Sequence, residues 1–428
     1  MGQPPTRDAL RTGILTDASF ERVLTAFRKG FLQGTVKENI PFMVSLACQC
    51  FNNEYIYAVS DDEQVALARL KENLASIRDL IVYAMYEPLW TVRDAAVRLG
   101  LDRDTDATEL FTRQIAEPAE EEEIKKSIQS FGVSADPVSQ AVREQYEESP
   151  YPRWIEAELP KPRTFEGAMR ERFPYLTTVE AGSPVRILIA GCGTGRHPIE
   201  VAAEYLDANV TAIDLSKASL AYAIRQARRY GITNLRFLHG DILNFEMHQE
   251  FDEIEAVGVL HHMNDPAAGL RTLLRALKPG GFMKIGVYNT RRRAVLQEAK
   301  RIISERKIGK SPHELRVTRQ EIIRRLPDPA NGPLGSSDFY YMSGFRDLLC
   351  HVQEVSYHPI ELKPILEAEH LTLLGYRSFN SSMKTQYLEQ FPQDPYIRDF
   401  DLINAFESEH LDLLGGGLQT LWVQSKQS

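Results

Sequence analysis

Apolar residues recur at helical spacing throughout the first part of the chain. The clearest set, which would share one face of a helix, is Phe20, Val23, Leu24, Phe27 and Phe31. Ser60 and Glu63 have the spacing of a capping box ahead of a second periodic stretch. Because we find no β alternation of any length here, we predict an all-helical domain over residues 1–140.

The pattern changes after residue 184, where short apolar runs alternate with segments of helix length. These runs cover residues 185–190, 210–213, 235–238, 254–259 and 282–287, with later ones at 371–379 and 418–423. Strands that alternate with helices indicate βαβ units and a parallel sheet covered on both faces. We therefore predict an α/β domain over 184–428, with insertions at about 290–358 and 380–416. Residues 141–183 would form a segment that covers the ligand cleft.

Composition narrows the class of protein. Hydrophobic residues make up 43% of the 428 positions and charged residues 25%, as in globular proteins. The net charge of −9 at pH 7 argues against a general nucleic-acid coat protein. No apolar run is long enough for a membrane span, and the four cysteines form no CxxC pair or zinc-like cluster. We expect no metal, a reducing compartment and a cytoplasmic location.

The strongest chemical signal is a glycine loop between the first predicted strand and a helix. Gly191, Gly193 and Gly195 allow a tight turn and a close approach of the backbone to a ligand, at a helix N-terminus. Asp214 closes the next strand, where a carboxylate can accept both hydroxyls of a ribose. Because residue 196 is arginine, the spacing is not GxGxxG, which disfavours a nicotinamide oxidoreductase.

Asp241 follows the third strand in the sequence HGDIL. There a carboxylate could accept a hydrogen bond from an adenine amino group, beside an apolar contact from Ile242. Downstream lie the sequences LHHMNDP (260–266) and KPGG (278–281), each next to a predicted strand.

With these elements in this order, residues 185–290 resemble a class I S-adenosylmethionine-dependent methyltransferase. The resemblance implies a Rossmann-like seven-stranded methyltransferase sheet, S-adenosyl-L-methionine as cofactor, and in-line methyl transfer. It implies a set of cofactor-binding residues, namely Gly191, Gly193, Gly195, Asp214, Leu215, Asp241, Ile242, Val257 and Leu260. The flanks QYEESPYPRW (145–154) and SGFRDLLCHVQE (343–354) resemble bacterial methyltransferases that carry tetratricopeptide-like helical N-terminal regions. In that case a protein or peptide acceptor would dock on the N-terminal helices.

One position departs from the family's pattern. The first strand usually carries an acid two residues before the first glycine, and this chain has Ile189 there. That acid normally helps to hold the methionine ammonium, so another group must replace it. Its loss keeps open an alternative function, a non-catalytic binding or scaffold protein with a vestigial methyltransferase fold.

The candidate catalytic residues are His261 and His262, which lie at the carboxyl end of the fourth strand. Imidazole can take a proton near neutral pH, and a base is required only if the acceptor carries one. The alternative is that one ring forms part of the pocket wall while the other is exposed. The candidate substrate contacts are Tyr151, Arg153, Tyr288, Tyr340, Arg346 and His351.

The segment 290–310 contains eight basic residues against two acidic ones. They are Arg291, Arg292, Arg293, Lys300, Arg301, Arg306, Lys307 and Lys310. Such a positive field could attract a phosphate, a carboxylate-rich substrate or RNA, although no interleaved aromatic residues suggest base stacking. A solvated amphipathic helix is the alternative interpretation. The acceptor atom and the oligomeric state do not follow from the sequence.

Overall fold

A computed structural model describes residues 4–104, 106–132, 135–306, 311–414 and 416–426. The α-helices are α1 Pro4–Thr12, α2 Ala18–Gln33, α3 Ile40–Asn52, α4 Asp61–Glu72, α5 Ile77–Tyr83, α6 Arg93–Arg98, α7 Thr108–Phe111, α8 Glu117–Ser127, α9 Pro137–Glu148, α10 Phe165–Arg172, α11 Arg196–Glu204, α12 Lys217–Arg229, α13 Pro266–Ala276, α14 Thr290–Arg293, α15 Gln297–Arg306, α16 Pro312–Arg325, α17 Met342–Cys350, α18 Pro359–Ala368, α19 Ser381–Gln390 and α20 Phe400–Glu409. The strands are β1 Ser130–Gly132, β2 Val185–Ala190, β3 Ala208–Asp214, β4 Leu235–Gly240, β5 Phe251–Val257, β6 Leu277–Asn289, β7 Ser356–Tyr357, β8 Leu371–Tyr376 and β9 Leu418–Ser425.

The chain divides into two compact units that interleave in sequence. The first contains residues 1–123, 151–157 and 295–351, and the second contains residues 124–150, 158–294 and 352–428. Residues 151–157 were predicted to cover the cleft and 295–351 to interrupt the sheet domain. Both segments group with the helices. In the segment 295–351, residues such as Leu296, Phe339 and Phe345 share one apolar core with them.

The first unit is helical in its described part, as the apolar periodicity predicts. Helix α3 is deeply buried, with every residue from Met43 to Cys50 inaccessible to solvent. Ser60 and Glu63 form the predicted capping box at the start of α4. The periodic stretch beyond them is two helices, α4 and α5, since Ser76 begins a second capping box with Asp79.

The second unit is built on a mixed sheet in the order β1-β4-β3-β2-β5-β6-β9-β8, with β7 paired to the end of β6. All neighbours are parallel except β9, which runs antiparallel to both β6 and β8. The described residues thus form nine strands, whereas seven were expected. The two extra strands, β1 and β7, have three and two residues and exist only through pairing with β4 and β6. No local alternation could announce them.

The two faces of this sheet carry separate apolar cores. Leu188, Ala190 and Ile254 face one core, and Ile187 and Ile189 face the other. After β2 the chain builds β3 and β4 on one side, and β5 and β6 then fill the other side. Strand order therefore reverses between β2 and β5, and ligands of open α/β sheets bind at the carboxyl ends of the strands at such a point.

None of the helices in the described ranges combines the length and apolar character needed to cross a bilayer. All four cysteines are free thiols, and three of them are buried.

Candidate functional site

The glycine loop lies at the carboxyl end of β2, where the strand order reverses. Gly191 has φ +69°, and a Cβ there would lie 2.2 Å from Cγ2 of Val259. Gly195 has φ +88°, and its Cβ would lie 2.4 Å from Cβ of Ala223. Any larger residue would thus meet both backbone strain and a collision. The loop is anchored to β3, because the N–H groups of Gly191 and Cys192 both donate to the carbonyl of Ile213.

Asp214, the last residue of β3, is joined directly to this loop. Its Oδ2 accepts the N–H of Gly193 at 2.7 Å, and its Oδ1 accepts the N–H of Ser216 at 2.9 Å. Burial raises the pKa of Asp214 to about 6, although these two backbone donors oppose the shift. The carboxylate is therefore largely ionised at neutral pH and retains lone pairs for further donors.

Helix α9 closes over the same edge. The carboxylate of Glu147 accepts the N–H groups of Lys217 and Ala218, at 2.5 and 3.2 Å. The hydroxyl of Ser216 donates to the carbonyl of Tyr146 at 3.0 Å. Glu147 thereby caps α12 from outside and adds negative charge beside Asp214, a role not anticipated from the sequence. The only local signal is its place in the sequence QYEESPYPRW.

Asp241 follows β4 and is 1% exposed. Its Oδ1 accepts the N–H of Leu243 at 2.9 Å, whereas its buried Oδ2 has no hydrogen-bond partner among the described residues. A buried carboxylate oxygen without a donor carries a desolvation cost. An adenine amino group would supply that donor, so this atom fits the nucleoside half of S-adenosylmethionine.

Apolar residues accompany Asp241 at this edge. Ile242 and Leu260 are buried, and Val257 ends β5. Leu215 follows Asp214, and its carbonyl is 3.0 Å from Nε2 of His239. Every predicted cofactor residue therefore lies near the carboxyl end of β2, β3, β4 or β5, either as the last residue of the strand or in the segment that follows it.

Two buried acids, Glu253 and Glu255, lie on β5, next to the strand β2 that leads into the glycine loop. Glu255 is 2% exposed, is the register partner of Ile189 on β2, and accepts from His197 Nε2 and Lys284 Nζ, each at 2.7 Å. Burial opposes ionisation of Glu255, but Lys284 and His197 outweigh it and hold its pKa well below the usual range. Burial and the adjacent Glu255 raise the pKa of Glu253 well above its ordinary value. Glu253 therefore holds a proton that it donates to Glu255.

The two candidate catalytic histidines follow β5 and are both buried. Nδ1 of His262 lies 2.7 Å from the carbonyl of Gln353. The centroid of the His261 ring is 3.8 Å from that of the Tyr288 ring. The guanidinium of Arg293 lies 3.9 Å from the centroid of the same Tyr288 ring. The alternative in which one of the two histidines is solvent-exposed does not hold.

Five of the candidate substrate contacts belong to the first unit, and Tyr288 belongs to the second. Tyr151 donates to Asp338 at 3.2 Å, and Arg153 lies over the ring of Phe51. The hydroxyl of Tyr340 donates to the carbonyl of Leu334, so it is committed to the fold. Arg346 is buried in α17, and His351 directly follows that helix.

Four arginines of the predicted basic segment have polar partners in the described part of the chain. Arg291 bonds Asn404, Arg292 bonds Glu407, and Arg293 bonds Glu354, in each case at 2.5–2.9 Å. Arg301 pairs with Glu298 and Glu305 on α15. Lys307 and Lys310 lie outside the described residues. Arg292, Arg293 and Arg301 are thus each paired with an acid, and the partner of Arg292 lies 115 residues away in sequence.

Comparison with known proteins identifies a matching domain. A family model described as a methyltransferase domain matches residues 182–324. An uncharacterized Synechococcus protein is 33% identical over 267 residues, which cover 58% of this chain and 62% of that protein. The ubiquinone biosynthesis O-methyltransferase of Pseudomonas putida is 32% identical over 112 residues, covering 26% of this chain and 47% of that enzyme. The chain therefore spans less than two thirds of the length of these relatives.

Among solved structures, PKMT2 from Rickettsia typhi aligns with 62% of this chain and 54% of its own, at 14% identity and a TM-score of 0.45. The family model supports a methyltransferase domain in this part of the chain, with S-adenosylmethionine as its cofactor.

Proposed function

We propose that the protein is an S-adenosylmethionine-dependent methyltransferase. The observation that carries this proposal is the direct bond between the glycine loop and the Asp214 carboxylate, at the edge where strand order reverses. A loop that excludes side chains, together with an ionised acid next to it, suits a nucleoside whose ribose hydroxyls need an acceptor. The orphaned Oδ2 of Asp241 supplies a second, independent fit on the next strand.

In this proposal the chain's own residues bind and orient the reactants. Gly191, Gly193 and Gly195 admit the donor against bare backbone, Asp214 accepts its ribose hydroxyls, and Asp241 accepts its adenine amino group. When bound, S-adenosylmethionine supplies a methyl group on a sulfonium, which is already activated. The protein must therefore mainly position the acceptor and exclude water.

His262 is the better candidate for a general base. Because its Nδ1 lies against the carbonyl of Gln353, the neutral ring carries its proton on Nδ1, and Nε2 is the basic nitrogen. His261 stacks on Tyr288, which suits a role as pocket wall. A base acts only for an acceptor that holds a proton at working pH.

For the acceptor we propose Tyr288 as a contact residue in the second unit, while Tyr151, Arg153, Arg346 and His351, which belong to the first unit, stay predictions from the sequence. A protein or peptide that docks on the N-terminal helices is the class favoured by the resemblance to methyltransferases with tetratricopeptide-like regions. Ile189 keeps a non-catalytic binding protein as the second candidate, since a vestigial site would lose part of its hold on the donor.

Asp214→Ala tests the assignment. We expect calorimetry to show that S-adenosylmethionine binds the wild type and binds the variant about a hundredfold more weakly, because two hydrogen bonds to a charged group are lost. Asp399→Ala is the matched control, since Asp399 also accepts two backbone N–H groups but caps α20. It should leave the affinity unchanged. Equal affinities for wild type and Asp214→Ala would contradict the ribose role.

The pH dependence sharpens the same test. The folded pKa of Asp214 is about 6, so its carboxylate becomes protonated as the pH falls through that value. Affinity of the wild type should decline below about pH 6, whereas Asp214→Asn should show no such decline. Transfer of label from methyl-labelled donor into fractionated lysate would separate a methyltransferase from a binding protein, which would take up the donor without turnover.

A further inference from the structure

Burying the acids Glu253 and Glu255 on β5 costs free energy, and the residues around them show how their charge is compensated. Glu253 has no exposed surface, and apart from Glu255 neither of its oxygens has a hydrogen-bond partner among the described residues. Glu255 receives Lys284 from the neighbouring strand and His197 from α11. Lys284 on the neighbouring strand thus compensates the negative charge of Glu255, and His197 is an additional hydrogen-bond donor.

His197 lies where the glycine loop becomes a helix. It is the second residue of α11, which begins directly after Gly195. Its side chain is 30% exposed, whereas that of Glu255 is 2% exposed. The hydrogen bond therefore connects the buried Glu255 in the sheet to the partly exposed ring of His197 next to the glycine loop.

The bond to Glu255 decides the chemistry of that ring. A carboxylate can only accept, so Nε2 of His197 carries a proton and donates it. In the neutral ring Nδ1 is then an acceptor. A partly exposed imidazole thus lies next to the glycine loop, and it is held by Glu255, the register partner of Ile189.

We infer that Nδ1 of His197 accepts a hydrogen bond from the α-ammonium of the donor's methionine moiety, with Glu255 as the positioning residue that orients the ring. This inference rests on the proposed function and deepens it. It assigns to a histidine on α11 the task that Ile189 cannot perform. An ammonium offers three N–H donors, and the imidazole nitrogen that does not bond Glu255 is a suitable partner for one of them.

The test compares two ligands that differ in the amino-acid part. S-adenosylhomocysteine carries the α-ammonium, and 5′-methylthioadenosine has the same nucleoside without it. We expect His197→Phe to weaken S-adenosylhomocysteine about tenfold, as for loss of one hydrogen bond to a charged group, and to leave methylthioadenosine within about twofold. His197→Asn, whose amide oxygen lies near the position of Nδ1, should recover part of the loss.

Glu253→Gln and Glu255→Gln complete the design. Glutamine at 253 still donates to Glu255, so both ligands should bind as in the wild type. Glutamine at 255 loosens His197 and should weaken only S-adenosylhomocysteine. If Glu255→Gln does not fold, the partly exposed His197 variants still give the result.

Two results would overturn the inference while leaving the proposed function intact. Equal losses for both ligands in His197→Phe would mean that the residue only supports the loop. Unchanged affinity for both would mean that it does not contact the donor. A wild type that binds neither ligand would instead overturn the proposed function and this inference together.

Discussion

Two buried charge clusters, one in each unit, are stabilised in opposite ways. In the first unit Arg319 on α16 forms a two-pronged bond with Glu21 on α2, at 2.7 and 2.6 Å, and its Nε donates to the carbonyl of Phe339. In the second unit Glu253 and Glu255 are two acids on one strand, and they share one proton because the pKa of Glu253 is raised and that of Glu255 is lowered. In the first arrangement opposite charges compensate each other, and the pair stabilises the fold. In the second arrangement Glu255 also bonds His197, which connects the acids to the candidate site.

The largest effect is expected from Arg319→Ala. Removal of one partner of a buried ion pair leaves Glu21 charged and unpaired, so the free energy of unfolding should fall by about 3–5 kcal/mol. Hydrogen exchange should show the loss in α2 and α16. The double variant Glu21→Gln/Arg319→Met carries no orphaned charge and should recover much of it. A single variant as protected as the wild type would mean that this pair does not hold the two helices.

Glu253→Gln should have a smaller, pH-dependent effect of the opposite sign. The ordinary pKa of a glutamate is 4.5 and that of Glu253 is raised, so the folded state holds a proton that the unfolded state releases above that pH. This contribution to stability is present at low pH and is lost as the pH rises, at up to about 1.4 kcal/mol per pH unit. Glutamine does not titrate, so the variant should gain stability relative to the wild type as the pH rises from 5 to about 8.

Glu255→Gln is the counterpart in the same denaturant titrations. Its pKa is lowered in the folded state, so its contribution is present above the ordinary value of 4.5 and disappears as the pH falls. The variant should therefore be less stable than the wild type at neutral pH, with the gap closing in acid. Parallel pH profiles for the wild type and both variants would show that the acids do not share a proton.

The smallest effect is expected from Arg301→Ala. Arg301 pairs with Glu298 and Glu305 on the exposed side of α15, and its side chain is half exposed. Exposed pairs contribute little and are screened by salt. Neither the unfolding midpoint nor its salt dependence should change measurably. A loss comparable to that of Arg319→Ala would erase the distinction between the surface and buried arginines.

Much of the fold follows from local pattern. The glycine loop lies between a strand and a helix as predicted, Ser216 caps α12, and the last apolar run is a strand at 418–425. Each of these features is determined by residues that are near one another in sequence. Asp214 was found for the same reason, because the end of a strand is visible from its apolar run.

The acids on β5 were missed because their strand was read as an apolar run. The sequence FDEIEAV places acids at alternate positions, and Lys284 has the matching position in FMKIGV on the next strand. Alternating acids inside a buried strand, next to a strand with an inward lysine, are the signal that could have revealed them. The partners of Arg292 and Arg293 had no such signal, since Glu407 and Glu354 lie far away in sequence.

The antiparallel strand β9 sets an order of events during synthesis. It lies between β6 and β8, so β8 reaches the sheet only through it. Until residues 418–425 have left the ribosome, one long side of β6 has no partner over most of its length and β8 has no place to bind. That edge of β6, which ends at Asn289, therefore stays open until Leu418 has emerged, and an open strand edge is a template for pairing with another chain.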